Sequence, residues 1–163
     1  MFENTRSTMD IRLGLCCINT EMRNRKKPIF SSRTVRLATI QKKGIASVKE
    51  LALENLRDTI EILTECPRIG IHVFRLSSEI FPHATNPRCC GYDMDFANDL
   101  LVELGNTAKK LGVRLTAHPG QFNVLGSTNK ATVNNTVSEL NYQAEMFDRM
   151  GMGNDSVMVI HGG

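Results

Sequence analysis

Two histidines occupy matching places in the chain and could bind a metal together. His118 and His161 each follow a short apolar run, and glycine follows each within two residues. If those runs are parallel strands, their carboxyl ends share one rim and the imidazoles become neighbours. Imidazole is a common ligand for zinc, manganese and iron. The pattern predicts a shared metal site, and the alternative is two separate hydrogen-bonded histidines at strand ends.

The loop that begins at His118 also carries side chains suited to contact with nucleic acid. Gln121 and Phe122 stand next to each other after Gly120. An amide can hydrogen-bond a base edge, and an aromatic ring can fill the space left by a displaced base. The pair is therefore compatible with contact to DNA, whereas composition alone favours a core position for Phe122.

Other polar residues fall near the ends of predicted strands. Asn19 follows the first apolar run and is expected to lie on the same rim, with a turn or helix cap as the alternative. His83 lies in the loop after the second run, where it would be a metal ligand or a DNA contact. His72 lies early in that run and is expected to pack against a helix.

Basic side chains crowd residues 23–43, which we call the basic segment. No Asp or Glu occurs between Met22 and Gly44. Such a composition is typical of a solvated loop and also of a segment that contacts phosphates, and Arg33 and Arg36 are our predicted DNA contacts. The cations are Arg23, Arg25, Lys26, Lys27, Arg33, Arg36, Lys42 and Lys43.

Short apolar runs and longer periodic segments alternate and must position these residues. Apolar residues at helical spacing, ended by Pro67, Gly112 and Gly151, predict helices. The predicted strands are 11–17, 71–76, 113–117 and 156–160, and the predicted helices are 45–66, 95–111 and 130–150. The apolar stripe expected on the third helix is Val133, Val137, Leu140, Ala144 and Phe147.

This alternation predicts an α/β fold with a parallel sheet and right-handed crossovers. Both an open doubly wound sheet and part of a (β/α)8 TIM barrel fit the order. No Gly-x-Gly-x-x-Gly follows the first strand, which disfavours the dinucleotide-binding variant. A barrel needs eight units in about 250 residues, so 163 residues with four strands would form half of one.

The composition indicates one ordinary globular domain. It is 41% hydrophobic and 23% charged with a net charge of +3, which excludes fibrous and low-complexity classes. No apolar run approaches the roughly 18 residues of a membrane span, and the first residues lack a signal-peptide core. We expect an intracellular protein, cytoplasmic or, in a eukaryote, nuclear. The five cysteines include two adjacent pairs and are expected as free thiols.

Taken together, these residues resemble the ultraviolet damage endonuclease family, metal-dependent DNA repair enzymes whose TIM barrel is related to those of xylose isomerases and apurinic-site endonucleases. The matching segments are RLGLCCINT at 12–20, SSRTVRLATI at 31–40, ENLRDTIEIL at 54–63, FRLSSEIFP at 74–82, HPGQF at 118–122 and HGG at 161–163. The resemblance implies that residues 11–163 are the N-terminal half of such a barrel and that residues 1–10 are an extension.

The resemblance also implies roles for particular residues. His118 and His161 would bind metal, Gln121 and Phe122 would probe the duplex at the lesion, and Asn19 would face the active site in a catalytic role. The cofactors would be divalent metal ions, with manganese favoured over zinc or magnesium and their number open. The complete enzyme would hydrolyse a phosphodiester on the 5′ side of a UV photoproduct in double-stranded DNA.

The chain departs from the family pattern in two ways. Asn86 stands where the family usually has a histidine ligand, and an amide is a feeble ligand unless His83 substitutes for it. The family's remaining acidic and imidazole ligands, on later strands, do not occur in this sequence. We therefore expect the chain alone to be inactive, and its open strand edges to promote self-association.

Two other functions remain compatible with the pattern. A sugar isomerase or epimerase on the same barrel would share the rim histidines, but it would not need the basic segment or the Gln121-Phe122 pair. A non-catalytic remnant would bind DNA or nothing. Either would be a different class of protein from a nuclease.

Overall fold

The structure, a computed structural model, describes residues 11–89 and 92–162, so the predicted extension at 1–10 lies outside the described residues. Its strands are β1 Leu13–Cys16, β2 Ile71–Arg75, β3 Arg114–Ala117 and β4 Val157–Met158. They form one parallel sheet in the order β1-β2-β3-β4, with β1 and β4 at its edges. The predicted parallel α/β arrangement is confirmed, although β4 is shorter than expected.

The helices are α1 Thr20–Arg23, α2 Leu37–Lys43, α3 Ala46–Glu65, α4 Asn98–Leu111 and α5 Lys130–Arg149. The last three are the predicted helices. Gly112 and Gly151 stand just beyond α4 and α5 with φ values of 63° and 62°, as expected for glycines that end helices. None of the helices among residues 11–89 and 92–162 is long and apolar enough to cross a membrane.

The basic segment holds helical structure that the sequence patterns did not predict. Helix α2 forms there because Leu37 and Ile40 lie one turn apart and pack near Val48 of α3. The sequence pattern did not indicate this helix because cationic residues surround Leu37 and Ile40. Part of the segment is therefore packed against the protein and is not simply a solvated loop.

The sheet has a covered face and an open face. Leu15, Phe74 and Leu115 lie side by side in register and point into the core beneath the helices, which defines the covered face. Side chains alternate between faces along a strand, so the next row points the other way. That row, on the open face, is partly or fully exposed and consists of Cys16, Arg75, Thr116 and Val157.

Two helices approach each other closely at Gly105, in the middle of α4. A Cβ atom at this position would lie 1.9 Å from the carbonyl oxygen of Met150, at the end of α5. A glycine within a helix costs about 1 kcal/mol relative to alanine. Close packing of α4 on α5 therefore requires the glycine and offsets its poor helix propensity.

The predicted apolar stripe of α5 is only partly correct, with Phe147 buried and Val133, Leu140 and Ala144 half-buried. Val137 is 42% exposed, whereas Thr136 and Gln143 are buried. The Thr136 hydroxyl donates to the Thr132 carbonyl oxygen at 2.8 Å, and Gln143 Nε2 donates to Glu139 Oε1 at 2.9 Å. These hydrogen bonds reduce the cost of burying polar groups, which an apolar pattern cannot anticipate.

Candidate functional site

The two rim histidines are in contact. The ring centroids of His118 and His161 are 4.8 Å apart, and the ring planes are perpendicular. Thr116 pairs with Val157, and the Val159 backbone N donates to the Ala117 carbonyl oxygen at 3.0 Å, so strand pairing continues towards the rim. The structure thus brings the two imidazoles together, and metal binding by them stays a prediction.

The histidine pair fits a metal only as part of a larger ligand set. Within residues 11–89 and 92–162, no group of three or more His, Cys, Asp or Glu side chains is placed to hold a metal ion. Divalent ions in proteins take about four to six ligands. Imidazole suits manganese or zinc. A metal ion bound by the two imidazoles would therefore need further ligands besides them.

His83 and Asn86 contact each other and are tied into the loop after β2. His83 Nε2 lies 2.6 Å from the Val35 carbonyl oxygen and therefore donates to it, while its Nδ1 lies 3.4 Å from Asn86 Nδ2. Asn86 Oδ1 accepts from the Arg88 backbone N at 3.0 Å. His83 also has a φ of 61°, a left-handed conformation that is rare for a residue other than glycine. These contacts engage Asn86 within the loop and tie His83 to the backbone of the basic segment, and their metal or DNA roles stay predictions.

Gln121 and Phe122 form the tip of a tight turn. The Asn123 backbone N donates to the Gly120 carbonyl oxygen at 2.9 Å, and Asn123 Nδ2 donates to the same oxygen at 3.0 Å. Gln121 is exposed, and Phe122 is 82% exposed. Phe122 is therefore not a core residue. We did not predict the part played by Asn123, although the preference of Asn for turns was a usable signal.

Asn19 is the N-cap of α1. Its Oδ1 accepts from the Met22 backbone N at 3.1 Å, and the residue is only 8% exposed. A side-chain oxygen in this position satisfies an N–H group that has no partner within the helix. The cap that we gave as the alternative is present, and a catalytic role for Asn19 stays a prediction.

The two predicted DNA contacts of the basic segment have different surroundings. Arg36 is exposed at the start of α2. The Arg33 side chain is only 18% exposed, and its guanidinium lies 2.6 Å from Asp58 Oδ2 and 3.2 Å from Glu54 Oε2. Arg36 is therefore available to a phosphate, whereas Arg33 is held against α3.

A cavity of about 670 Å³ lies at the rim between these loops. Thr34 of the basic segment, His83, and Gly120 and Asn123 of the turn all line it. Tyr142 lines it as well, and burial, with a smaller effect of Glu139, holds the pKa of this phenol well above its usual range. The basic segment and the base of the turn therefore border one cavity.

The cysteines lie apart from this arrangement. The four described cysteines are free thiols, as expected from the sequence. Cys16 is exposed on the open face of the sheet, while Cys66 is buried. Burial, with a smaller effect of Glu65, raises the pKa of the Cys66 thiol to about 11, so it is protonated near neutral pH.

Comparison with known proteins decides the family. The family model described as UV-endonuclease UvdE matches residues 11–163. The chain belongs to the UV-endonuclease UvdE family. The resemblance drawn from its sequence motifs is thus confirmed.

The UvdE relatives are longer than this chain. The UV-damage endonuclease of Schizosaccharomyces pombe is 39% identical over 154 residues, which cover 92% of this chain and 26% of the relative. A putative UV-damage endonuclease of Acanthamoeba polyphaga mimivirus is 43% identical over 157 residues, which cover 94% of this chain and 47% of the relative. The chain therefore spans less than half the length of these two UvdE relatives.

A solved structure of the same family shows where the four strands belong. The crystal structure of SacUVDE matches with a TM-score of 0.80 and 27% sequence identity, over 94% of this chain and 50% of that chain. The parallel strands and their helices correspond to half of the SacUVDE TIM barrel. The predicted half-barrel is confirmed, and the open doubly wound sheet is excluded.

Proposed function

We propose that residues 11–163 supply the N-terminal half of the active site of a metal-dependent DNA repair endonuclease, which nicks double-stranded DNA on the 5′ side of UV photoproducts. The observation that carries the proposal is the exposure of Phe122. An 82% exposed aromatic ring stands at the tip of a turn that begins two residues after a rim histidine. Neither a sugar isomerase nor a non-binding remnant needs such a ring.

His118 and His161 would hold a divalent metal ion, manganese by preference. Their rings are close enough to belong to one ligand set or to two adjacent ones. A bound divalent ion supplies charge neutralisation at the attacked phosphate and lowers the pKa of a water molecule. Neutral imidazoles bring no negative charge, so carboxylates from further polypeptide would be needed to hold several such ions. The chain alone would therefore bind its substrate without cleaving it.

Selection of the lesion would come from the deformability of damaged DNA. A poorly stacked step costs less to open than an intact one. Phe122 would then occupy the opened space, and Gln121 would hydrogen-bond an exposed base edge. The turn held by Asn123 orders the backbone that carries both side chains before binding, which lowers the entropy cost of recognition. Since such a substrate is genomic DNA, the proposal includes an intracellular place of action.

The test separates the metal-binding role from the lesion-binding role in the 163-residue chain. Phe122→Ala is expected to reduce the preference for a photoproduct duplex over an intact duplex by about five- to 150-fold, as loss of about 1–3 kcal/mol of stacking implies. His118→Ala should weaken manganese binding and leave that preference intact. Fluorescence anisotropy and calorimetric titration with manganese provide the two measurements.

Leu125→Ala is the matched control, because Leu125 is a 44% exposed apolar residue that lies beyond the turn tip. It should change neither quantity. An unchanged lesion preference in Phe122→Ala would refute the wedge. Robust lesion-dependent nicking by the chain alone, free of contaminating nuclease, would refute its inactivity.

A further inference from the structure

Arg33 differs from the other cations of the basic segment in that it faces the protein. Its guanidinium contacts Asp58 and Glu54 on α3 and lies 4.1 Å above the centre of the Phe30 ring. It also donates a hydrogen bond to the Phe30 carbonyl oxygen. A guanidinium with these contacts must lose some of them before it can bind a phosphate. Arg33 therefore does something other than contribute a free positive charge.

The backbone on either side of Arg33 is fastened to the same helix. Asn55 of α3 is fully buried, and its Oδ1 accepts from the Arg33 backbone N at 2.9 Å while its Nδ2 donates to the Arg33 carbonyl oxygen at 3.0 Å. Asp58 Oδ2 accepts from the Phe30 backbone N at 2.9 Å. We call Phe30, Arg33, Asn55 and Asp58 the latch. It fixes both the side chain of Arg33 and the path of the loop.

Exposed cations flank the latch in sequence, and the residue after Arg33 lines the rim cavity. Lys26 and Lys27 precede it and Arg36 follows it, and all three are exposed. Thr34, the residue after Arg33, lines the cavity that Gly120 and Asn123 of the turn also line. The loop that the latch holds therefore carries exposed cations and borders the same cavity as the turn.

We propose that the latch positions the basic segment for nucleic acid. Arg33 and Asp58 neutralise each other and fix the loop so that Lys26, Lys27 and Arg36 meet backbone phosphates beside the lesion. A loop ordered before binding loses less conformational entropy when DNA arrives. Arg33 is then a positioning residue and not a DNA contact. The inference rests on the proposed function, because it presupposes a duplex ligand.

For Asp58→Asn, a positioning role of the latch and an effect of charge alone predict opposite changes in DNA affinity. Removing a carboxylate raises the net positive charge, so electrostatics alone predicts tighter binding to DNA. The latch predicts weaker binding, by about tenfold, because the loop loses its ion pair and an amide oxygen accepts more weakly than a carboxylate from the Phe30 backbone N. Binding of the 163-residue chain to a photoproduct duplex, followed by anisotropy over a sodium chloride series, measures the sign.

Arg33→Gln tests the same idea from the other partner. It should weaken binding by about tenfold at every salt concentration and leave the slope of log affinity against log salt unchanged. Loss of a true phosphate contact, as in Lys27→Ala, should reduce that slope by about 0.9. Because Arg33 and Asp58 act as one unit, the double variant should bind no more weakly than either single variant.

Glu61→Gln is the matched control, since it removes one carboxylate from the same helix outside the latch. Glu61 is more than half exposed and lies 3.9 Å from Arg25, a pair that contributes little. This variant should bind as tightly as the wild type or slightly more so. Arg33→Lys keeps the charge and loses the forked geometry. It should still weaken binding, and thermal melts followed by circular dichroism identify any variant that has unfolded.

Amide hydrogen exchange at Phe30 and Arg33 separates the possible failures. Weaker binding of Asp58→Asn together with faster exchange at both amides supports the inference. If Asp58→Asn binds the duplex as tightly as the wild type or more tightly although both amides exchange faster, the positioning role of the latch is refuted and the proposed function is unaffected. If Asp58→Asn unfolds, Arg33→Lys decides instead. An affinity for the duplex equal to that of the wild type would refute the positioning role of Arg33, and a lower affinity would support it. If the wild type binds no duplex, the proposed function fails first and the inference fails with it.

Discussion

Side chains on the two faces of the sheet have different surroundings. Leu15, Phe74 and Leu115 are packed beneath the helices, while the row one residue further along the strands faces outward, from Cys16 to Val157. His118 follows Thr116 by two residues, in keeping with the open face. Alternation along the strands thus separates the side that holds the fold together from the side that carries the candidate site.

The largest difference in stability is expected between a substitution on the covered face and one on the open face of the sheet. Phe74→Ala removes a fully buried ring from the covered face and is expected to lower the free energy of unfolding by about 3–5 kcal/mol. Val157→Ala on the open face, where the side chain is 37% exposed, should cost less than about 0.5 kcal/mol. Urea denaturation followed by circular dichroism measures both. Equal losses would show that the open face is covered in solution.

A pair of glycines sharpens the same comparison. Gly105→Ala places a Cβ against the Met150 carbonyl oxygen, so α4 and α5 must separate, at a cost of about 1–3 kcal/mol. Gly14 lies in β1 on the open face, and a Cβ there would meet Val73 Cβ at 3.4 Å, which is ordinary contact. Gly14→Ala should therefore be nearly neutral. Thermal unfolding of the two variants measures the difference. A lower melting temperature for Gly14→Ala than for Gly105→Ala would contradict the expected order.

A measurement of self-association tests whether copies of the chain associate through the open face and the edge strands. Ile11, Val159 and Ile160 are exposed apolar residues close to the two edge strands. Val159→Lys places a charge beside β4 and should weaken association by about tenfold, or about 1.4 kcal/mol. Val137→Lys, at a 42% exposed position on α5, is the control and should have little effect. Sedimentation velocity over a concentration series gives the measurement, and a wild-type chain that stays monomeric would refute the expectation.

The parts of the structure that could be predicted from sequence are those that depend on local periodicity. The parallel strands, the three long helices, the glycines after α4 and α5, and the meeting of His118 with His161 all follow from short repeating patterns. The stripe predicted on α5 is incomplete because the buried side of the helix also carries polar side chains, which form hydrogen bonds with residues one turn away.

The role of Arg33 illustrates the limit of that reasoning. The sequence shows a cation among cations, and its partner Asp58 lies in a helix whose register against the loop cannot be read from either segment alone. Asn55 gave a partial signal, because it stands seven residues after Val48 on the buried side of α3. Only the three-dimensional arrangement shows that it holds the loop.

The position of Cys16 gives the molecule a chemical reporter of its own. Its sulfur is exposed on the side of the sheet that lacks a helical layer, whereas the Cys66 thiol lies in the core with its pKa raised to about 11. Electrophiles attack thiolates, so Cys66 is shielded by both its burial and its protonation. Alkylation of Cys16 will be suppressed by any polypeptide that completes the barrel, and the rate of that reaction reports how much of the barrel interior is occupied.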